Sequence, residues 1–375
     1  MFLLKITRIE TIPIRVPVKA EFAIRSGRGG AHTVSPFLLV KVHTDEGIVG
    51  IGEASCTPRW SGEDQVTGAH LIHTYLEPLL IGEDPEEVEE LAKKFRLAFA
   101  GNYFTKAAVE MALWDIAGKA EGLPLYEMLG GKVREFVPTK WSVSGVEPEK
   151  AAEIARWAVT QGFKAMKVKV GIEPEGDVAR VKAVREAIGP DIKIGVDANG
   201  GWSSAVAIVT IKRLCELGIR FAEQPVSPEQ PEQMADVRRA IPVPVIADES
   251  VFTVKDARIM AALKAADVLS IYIGKAGGIA EAMRIAHLAQ RENLKCTVGS
   301  NLELGVGSAA MVHFALTSRG VAAEEFHCDI IGPLFYEDDI VREALPIKPG
   351  EARANEKPGL GVELDEEKVE RYRVK

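Results

Sequence analysis

Cysteine is scarce in this chain: Cys56, Cys215, Cys296 and Cys328 are the only four among 375 residues, and no two stand close together. A thiolate metal site or a disulfide framework needs closely spaced or paired cysteines, so neither is expected, and a reducing, cytoplasmic setting is. No run of about 20 apolar residues is present to cross a bilayer. The apolar start, Met1-Phe2-Leu3-Leu4-Lys5-Ile6, is too short for a secretory leader. Basic residues are outnumbered, 46 against 54, for a net charge of −8. That balance argues against nucleic acid or an anionic membrane as partner. It leaves room for a small anionic substrate, because one local cation site outweighs a mildly acidic exterior. A dinucleotide fingerprint is also missing, since Lys275-Ala276-Gly277-Gly278 lacks the spacing.

Length and pattern then bound the fold. The chain is roughly two to three times a typical domain, enough for a barrel of about 250 residues and a smaller unit. From Ile6 to Gly52 the sequence reads as β-structure, with a hairpin turn at Thr44-Asp45-Glu46-Gly47 between β-branched runs. Residues 64–122 read as helices, including a helix over Lys106–Lys119 with Thr105 as its N-cap. Beyond Gly130-Gly131, short Val- and Ile-rich strands alternate with amphipathic helices. Strands are expected to end near Val143, Val170, Asp197, Glu223, Glu249, Tyr272, Asn301 and Asp329. The intervals Lys169 to Asp197, Asp197 to Glu223 and Glu223 to Glu249 are 28, 26 and 26 positions. Eight such units fit a modified (β/α)₈ TIM barrel at 131–345, preceded by an α+β domain at 1–130 and followed by a tail at 346–375.

Three consecutive strand ends carry acids: Asp197 in Val-Asp-Ala-Asn, Glu223 in Ala-Glu-Gln-Pro, and Glu249 in Ala-Asp-Glu-Ser. Strand ends of a barrel open on one face, where neighbouring carboxylates repel one another unless a cation lies between them. Oxygen ligands alone point to a hard ion, Mg²⁺ or Mn²⁺. As a lone residue each acid is as readily a surface loop residue; in register the three make a candidate metal set. Asn199 and Asp248 are expected behind it. One strand earlier, Lys167-Val168-Lys169 puts two ammonium groups on one face. Two cations that close should depress each other's pKa, which suits a general acid or base. Lys169 is assigned the proton and Lys167 a contact to the substrate carboxylate or the metal shell.

The order Lys-x-Lys, Asp-x-Asn, Glu-Gln-Pro, Asp-Glu resembles the enolase superfamily and, within it, the muconate-lactonizing-enzyme subgroup. Gly50-Ile51-Gly52-Glu53-Ala54, Ala112-Leu113-Trp114-Asp115 and Pro358-Gly359-Leu360-Gly361-Val362 are further landmarks, so the likeness spans nearly the whole chain. The resemblance implies an α+β cap completed by the C-terminal tail, Mg²⁺ held by Asp197, Glu223 and Glu249, a small carboxylate substrate and a homo-oligomer. It also implies that cap loops around residues 24–31 and 54–64 choose the substrate, which makes Arg25, Arg28, Arg59 and Trp60 candidate contacts.

The chain departs from the pattern at the sixth strand. Most members place a lysine there, facing Lys169 across the substrate; alignment on Lys275-Ala276-Gly277-Gly278 puts Tyr272 in its place, or else makes Lys275 the functional lysine. Tyrosine is neutral when protonated and suits a hydrogen-bond donor or acid better than a second base. One-base reactions therefore rise, cycloisomerisation first and loss of water from a hydroxy acid or sugar acid second. Two-base racemisation or epimerisation comes third. Dipeptide epimerases carry two aspartates around the last strand, whereas this chain reads Asp329-Ile330-Ile331-Gly332-Pro333, which argues against a dipeptide substrate. Gly299-Ser300-Asn301-Leu302-Glu303 after the seventh strand adds Asn301 and Glu303 as candidate substrate contacts, Glu303 stabilising an enolate. His313 and His327 lack ligand spacing and read as packed. A catalytically silent metal-binding barrel is the non-enzyme alternative.

Overall fold

The structure is a computed structural model, and it describes residues 4–26 and 30–374. Three strands, Ile6–Pro17, Val34–Thr44 and Val49–Ser55, form an antiparallel sheet in chain order, and the hairpin turns at Gly47 with φ of 79°. The middle strand is apolar at consecutive positions because both of its faces are covered. Leu38, Val40 and Val42 face the core of the cap, while Phe37 and Leu39 join the core shared with the barrel. The helix Tyr103–Glu121 lies directly on this sheet. Gly50 and Gly52 allow that approach, since a Cβ at either would stand about 2 Å from the carbonyl oxygen of Ala112 or Ala108. Their place among the glycine landmarks thus has a packing reason.

That helix begins earlier than expected. Its N-cap is Asn102, not Thr105. Thr105 sits inside the first turn, where Glu63 accepts from the Phe104 and Thr105 amides at 3.0 and 2.9 Å and from the Thr105 hydroxyl. A distant carboxylate replaces the local cap that sequence alone suggests.

Seven parallel strands follow in order: Trp141–Val143, Ala165–Lys169, Lys193–Asp197, Ile219–Glu223, Val245–Ala247, Val268–Ile271 and Lys295–Val298. The expected eighth strand is no regular strand, yet residues 326–329 close the barrel. The Cys328 amide donates to the Pro138 carbonyl at 2.8 Å, Lys140 donates back to Cys328 at 3.0 Å, and the Asp329 amide reaches Val298 at 2.8 Å. Helices lie between the strands, several begun by proline at the first turn (Pro148–Gln161, Pro174–Ile188, Pro231–Ala240), where its missing N–H costs nothing. Inside the barrel Phe221, Ile246, Val268 and Phe326 pack as one apolar layer.

The tail returns to the start of the chain. Residues Ile347–Lys348 pair with Glu351–Ala352, which pair in turn with Val137–Pro138, and the Val374 amide donates to Pro13 at 2.9 Å. Asp115 ties three segments together, accepting from the amides of Ile51 and Leu360 and from the Lys119 ammonium. No helix is long and apolar enough to cross a membrane among the described residues.

Buried titratable groups outside the barrel mouth set a pH dependence. Glu53 accepts from the amides of Leu304 and Gly307, and Glu110 from that of Ala280; burial pushes them up to about 8 and about 7 from 4.5. His313 is held by Tyr126 and Leu360, and burial pushes it down to about 4, as it does His327. A raised carboxyl binds its proton more tightly when folded, so its contribution falls as pH climbs toward the folded pKa. A lowered imidazole acts oppositely, and its contribution is complete above the unfolded value near 6.5. These four groups offset one another between about pH 5 and 6.5, but Glu223 and Glu249 at the barrel mouth are raised as well, so unfolding free energy should decline from about pH 5 to 8, more steeply above 6.5, by up to about 1.4 kcal/mol per pH unit for each proton fully linked. Urea denaturation across that range checks it; a rising limb above pH 6.5 would mean the glutamates are ionised in the fold.

Candidate active site at the barrel mouth

Strand parity decides which side chains enter the barrel. Phe221, Ile246 and Val268 point inward, so two residues further on Glu223, Asp248 and Ser270 do as well, and Tyr272 after them. Gly195 faces the Phe221 ring, which puts Asp197 on the same inner side. Asp197 pairs in register with Lys169 on one side and Glu223 on the other. Glu249 has the opposite parity to Asp248. The inward acid of the fifth strand is thus Asp248, and the sequence assignment of Glu249 to that row, with Asp248 behind it, does not follow the strand geometry.

Charges are closely compensated. Lys167 Nζ lies 2.9 Å from Glu223 Oε1, 2.8 Å from Asp329 Oδ2 and 3.5 Å from Asp197 Oδ2. Lys169 Nζ lies 2.6 Å from Asp197 Oδ2 and 3.0 Å from Asn199 Oδ1. Lys140, a residue the sequence reading passed over, reaches Asp329 at 3.2 Å from inside the barrel. Its inward parity with Ser142, one strand before Lys167, was the available signal.

For Lys167, depression by a neighbouring ammonium is not the governing effect. Burial would lower Lys167, but Asp329, Glu223 and Asp197 outweigh it and hold it well above its ordinary value. Burial likewise opposes ionisation of Asp197, yet Lys169 and Lys167 hold it down to about 2. Burial raises Glu223 to about 8, with Asp197, Asp248 and Asp329 adding to it and Lys167 opposing. Glu249 is raised to about 7, by burial first and then by Asp248 and Asp197.

At the fifth and sixth strands, Asp248 is clamped. Lys275 Nζ donates to its Oδ1 at 2.6 Å, to its carbonyl at 2.6 Å and to the Ser270 carbonyl at 2.9 Å. The Tyr272 hydroxyl donates to Oδ2 at 2.5 Å. Burial, then Asp248, Glu223 and Glu249, raise Tyr272 well above its ordinary value. Gln224, which sequence reasoning left without a role, accepts from the amides of Asp248 and Ser250 through Oε1 and fixes this turn. Asn199 bridges the two sides: its amide donates to Asp197, its Oδ1 accepts from Lys169, and its Nδ2 donates to Glu249 at 2.8 Å.

The remaining candidates separate. Trp60 comes from the cap loop into the site and donates from Nε1 to Glu249 at 3.2 Å. Asn301 holds the same loop, donating to Thr57 Oγ1 at 2.7 Å. Glu303 is buried at the seventh strand, but Ser300 and the Asn301 amide occupy its carboxylate, so it knots its own loop. Arg25 and Arg59 are exposed; the Arg25 backbone is pinned to Ser144, and Arg28 lies outside the described residues.

No three acid, histidine or cysteine side chains converge as a ready cation cage among the described residues. The donor set nonetheless suits a hard cation: Glu223 Oε2 and Glu249 Oε2 are buried oxygens with no hydrogen-bond donor, raised by burial first and then by the acids beside them. Such a mouth can hold a cation, an anionic substrate and a lysine at its carbon.

Known proteins share this architecture. Residues 8–130 match the mandelate racemase / muconate lactonizing enzyme N-terminal domain and residues 149–368 the enolase C-terminal domain-like family. N-succinyl-L-Arg/Lys racemase of Bacillus cereus is 35% identical over 99% of this chain and 98% of its own. Muconate cycloisomerase 1 of Rhodococcus opacus is 32% identical over 98% of each chain. The crystal structure of a dipeptide epimerase from Cytophaga hutchinsonii, complexed with Mg and D-Ala-L-Val, superimposes with a TM-score of 0.92 at 32% identity, covering 98% of each. Relatives so alike catalyse different reactions, but both halves of the chain match their domains: the protein is an enzyme of the enolase superfamily, in the subgroup of the mandelate racemases and muconate lactonizing enzymes.

Proposed function

We propose that this enzyme moves a proton at the carbon α to a substrate carboxylate with one acid–base group, Lys169, in a muconate-cycloisomerase-like reaction. One observation carries the reading. The second and sixth strands lie opposite each other in an eight-stranded barrel, and opposite Lys169 stands Tyr272, its proton donated to Asp248 at 2.5 Å. A racemase working through two bases needs a proton acceptor on each face of the carbon. Here one face has an ammonium and the other a neutral phenol already engaged.

The proposed metal site lies among Asp197, Glu223 and the Asp248-Glu249 pair: Asp197, Glu223 and Asp248 share the inward parity, and Glu223 Oε2 and Glu249 Oε2 are the donor-free oxygens, with Glu249 held through Oε1 by Asn199 and Trp60. Mg²⁺ in such a set supplies the positive charge that stabilises an enediolate, as is general in this superfamily. Around it, Asp197 and Asn199 aim the Lys169 ammonium, and Lys167 keeps a fixed positive charge beside the substrate carboxylate. In cycloisomerisation Lys169 delivers its proton to the carbon once the substrate's distal carboxylate has closed on the double bond. In syn dehydration the same group, as the free amine, first takes the α-proton and then gives it to the departing hydroxide, which leaves as water.

Ultraviolet loss of cis,cis-muconate with Mg²⁺ tests the reading. Turnover that chelation abolishes and Mg²⁺ restores supports cycloisomerase chemistry. No turnover removes muconate and moves the assignment to dehydration, read by loss of water from β-hydroxy and sugar acids.

A further inference from the structure

Tyr272 belongs to the barrel by sequence and to the cap by packing. Its ring is 4% exposed and sits in the apolar core built by cap residues such as Phe104, Ala108 and Cys56. Trp60 stacks on it with ring centres 5.5 Å apart and planes 5° from parallel. Phe104 and Phe252 surround Trp60 at 6.0 and 5.9 Å, and Lys275 Nζ lies 4.4 Å from the Tyr272 ring centre. Gly299 on the next strand makes room, because a Cβ there would come within 2.0 Å of Tyr272 Cε1. The tyrosine is therefore fitted from three directions, and Trp60 covers it on behalf of the cap loop.

The polar ends of the two rings are equally committed. The Tyr272 hydroxyl binds Asp248 and Trp60 Nε1 binds Glu249, so the stacked pair grips both acids of the fifth strand's end. Aromatic stacking of this kind adds to the burial of both rings, and two hydrogen bonds to carboxylates reinforce it. Trp60 is half-buried whereas Tyr272 is buried, so the tryptophan is the more open ring of the pair.

We propose that Trp60 and Tyr272 act together as a specificity-determining wall: they close the side of the mouth opposite Lys169, keep any proton donor or acceptor from that face, and so make proton exchange one-sided. The proposal rests on the single-base reading and extends it to Trp60, a positioning residue that never touches the transferred proton. Replacing the tyrosine by a lysine is then insufficient for two-sided exchange, because the tryptophan still covers the place.

The test compares wild type, Tyr272→Lys, Trp60→Ala and the double variant, each with N-succinyl-L-lysine and Mg²⁺ in ²H₂O. Deuteration is read by mass spectrometry and inversion by circular dichroism. The wall predicts inversion by the double variant about 100-fold faster than by wild type or either single variant. Inversion by wild type, or by Tyr272→Lys alone at the double variant's rate, overturns it. If none of the four incorporates deuterium, N-succinyl-L-lysine is not a substrate and the single-base reading stands on its own test, and the wall is decided by acrylamide quenching. The emission of Trp60, taken as the difference from Trp60→Phe, should be shielded in wild type and become several-fold more quenchable in Tyr272→Ala. Equal quenching in both overturns the wall.

Discussion

Lys169→Ala should lower kcat by about 10³-fold or more, with KM changed little and thermal stability kept. Four lysines enter the acid cluster, and their side-chain exposures separate their tasks. Lys140 and Lys275 are 1% exposed and Lys167 5%, whereas Lys169 is 13% exposed, the one ammonium that opens toward the mouth. Removing it leaves Asp197 partnered by Lys167 and by the Asn199 amide, so the fold keeps its charge balance. Lys167→Ala is different in kind. It strips Glu223 and Asp329 of a shared buried partner, and loss of stability should accompany loss of rate. Steady-state kinetics beside thermal unfolding on both variants makes the distinction. Activity in Lys169→Ala within tenfold of wild type would end its role as the acid–base group.

Much of this site was legible because barrel chemistry is written at regular intervals. The spacing of Asp197, Glu223 and the Asp248-Glu249 pair marks strand ends, and Lys167-x-Lys169 marks two inward positions by alternation. Alternation also bears on the choice between Asp248 and Glu249 beyond the fifth strand. Counting from Ile246 puts Asp248 inward, but nothing in the sequence says that Ile246 faces the barrel interior; the packing of Phe221, Ile246 and Val268 does. Long-range partners were the other gap. Glu63 on the first turn of a helix some 40 positions later, or Lys140 on Asp329 across the closure of the barrel, leaves no local periodicity to read. The eighth strand shows the converse: an irregular segment does a strand's work because both its neighbours offer carbonyls and amides.

Lys275→Met should destabilise the protein by about 3–5 kcal/mol, the cost of leaving a buried carboxylate without its cation. This residue is the second place where a lysine functional in catalysis was sought, and the geometry gives it another task. Its ammonium has three hydrogens and three acceptors, Asp248 Oδ1, the Asp248 carbonyl and the Ser270 carbonyl, so no N–H is left for a substrate. It is buried to 1% and covered by the Tyr272 ring. Tyr272→Phe removes only a hydroxyl from the same carboxylate and should cost about 1–2 kcal/mol. Asp248→Asn in the Lys275→Met background should recover part of the loss, because the unpaired charge disappears with it; the coupling read from the four proteins by urea denaturation measures the pair. A Lys275→Met protein as stable as wild type but devoid of turnover would reverse the assignment, returning Lys275 to the chemistry and leaving Tyr272 as its cover.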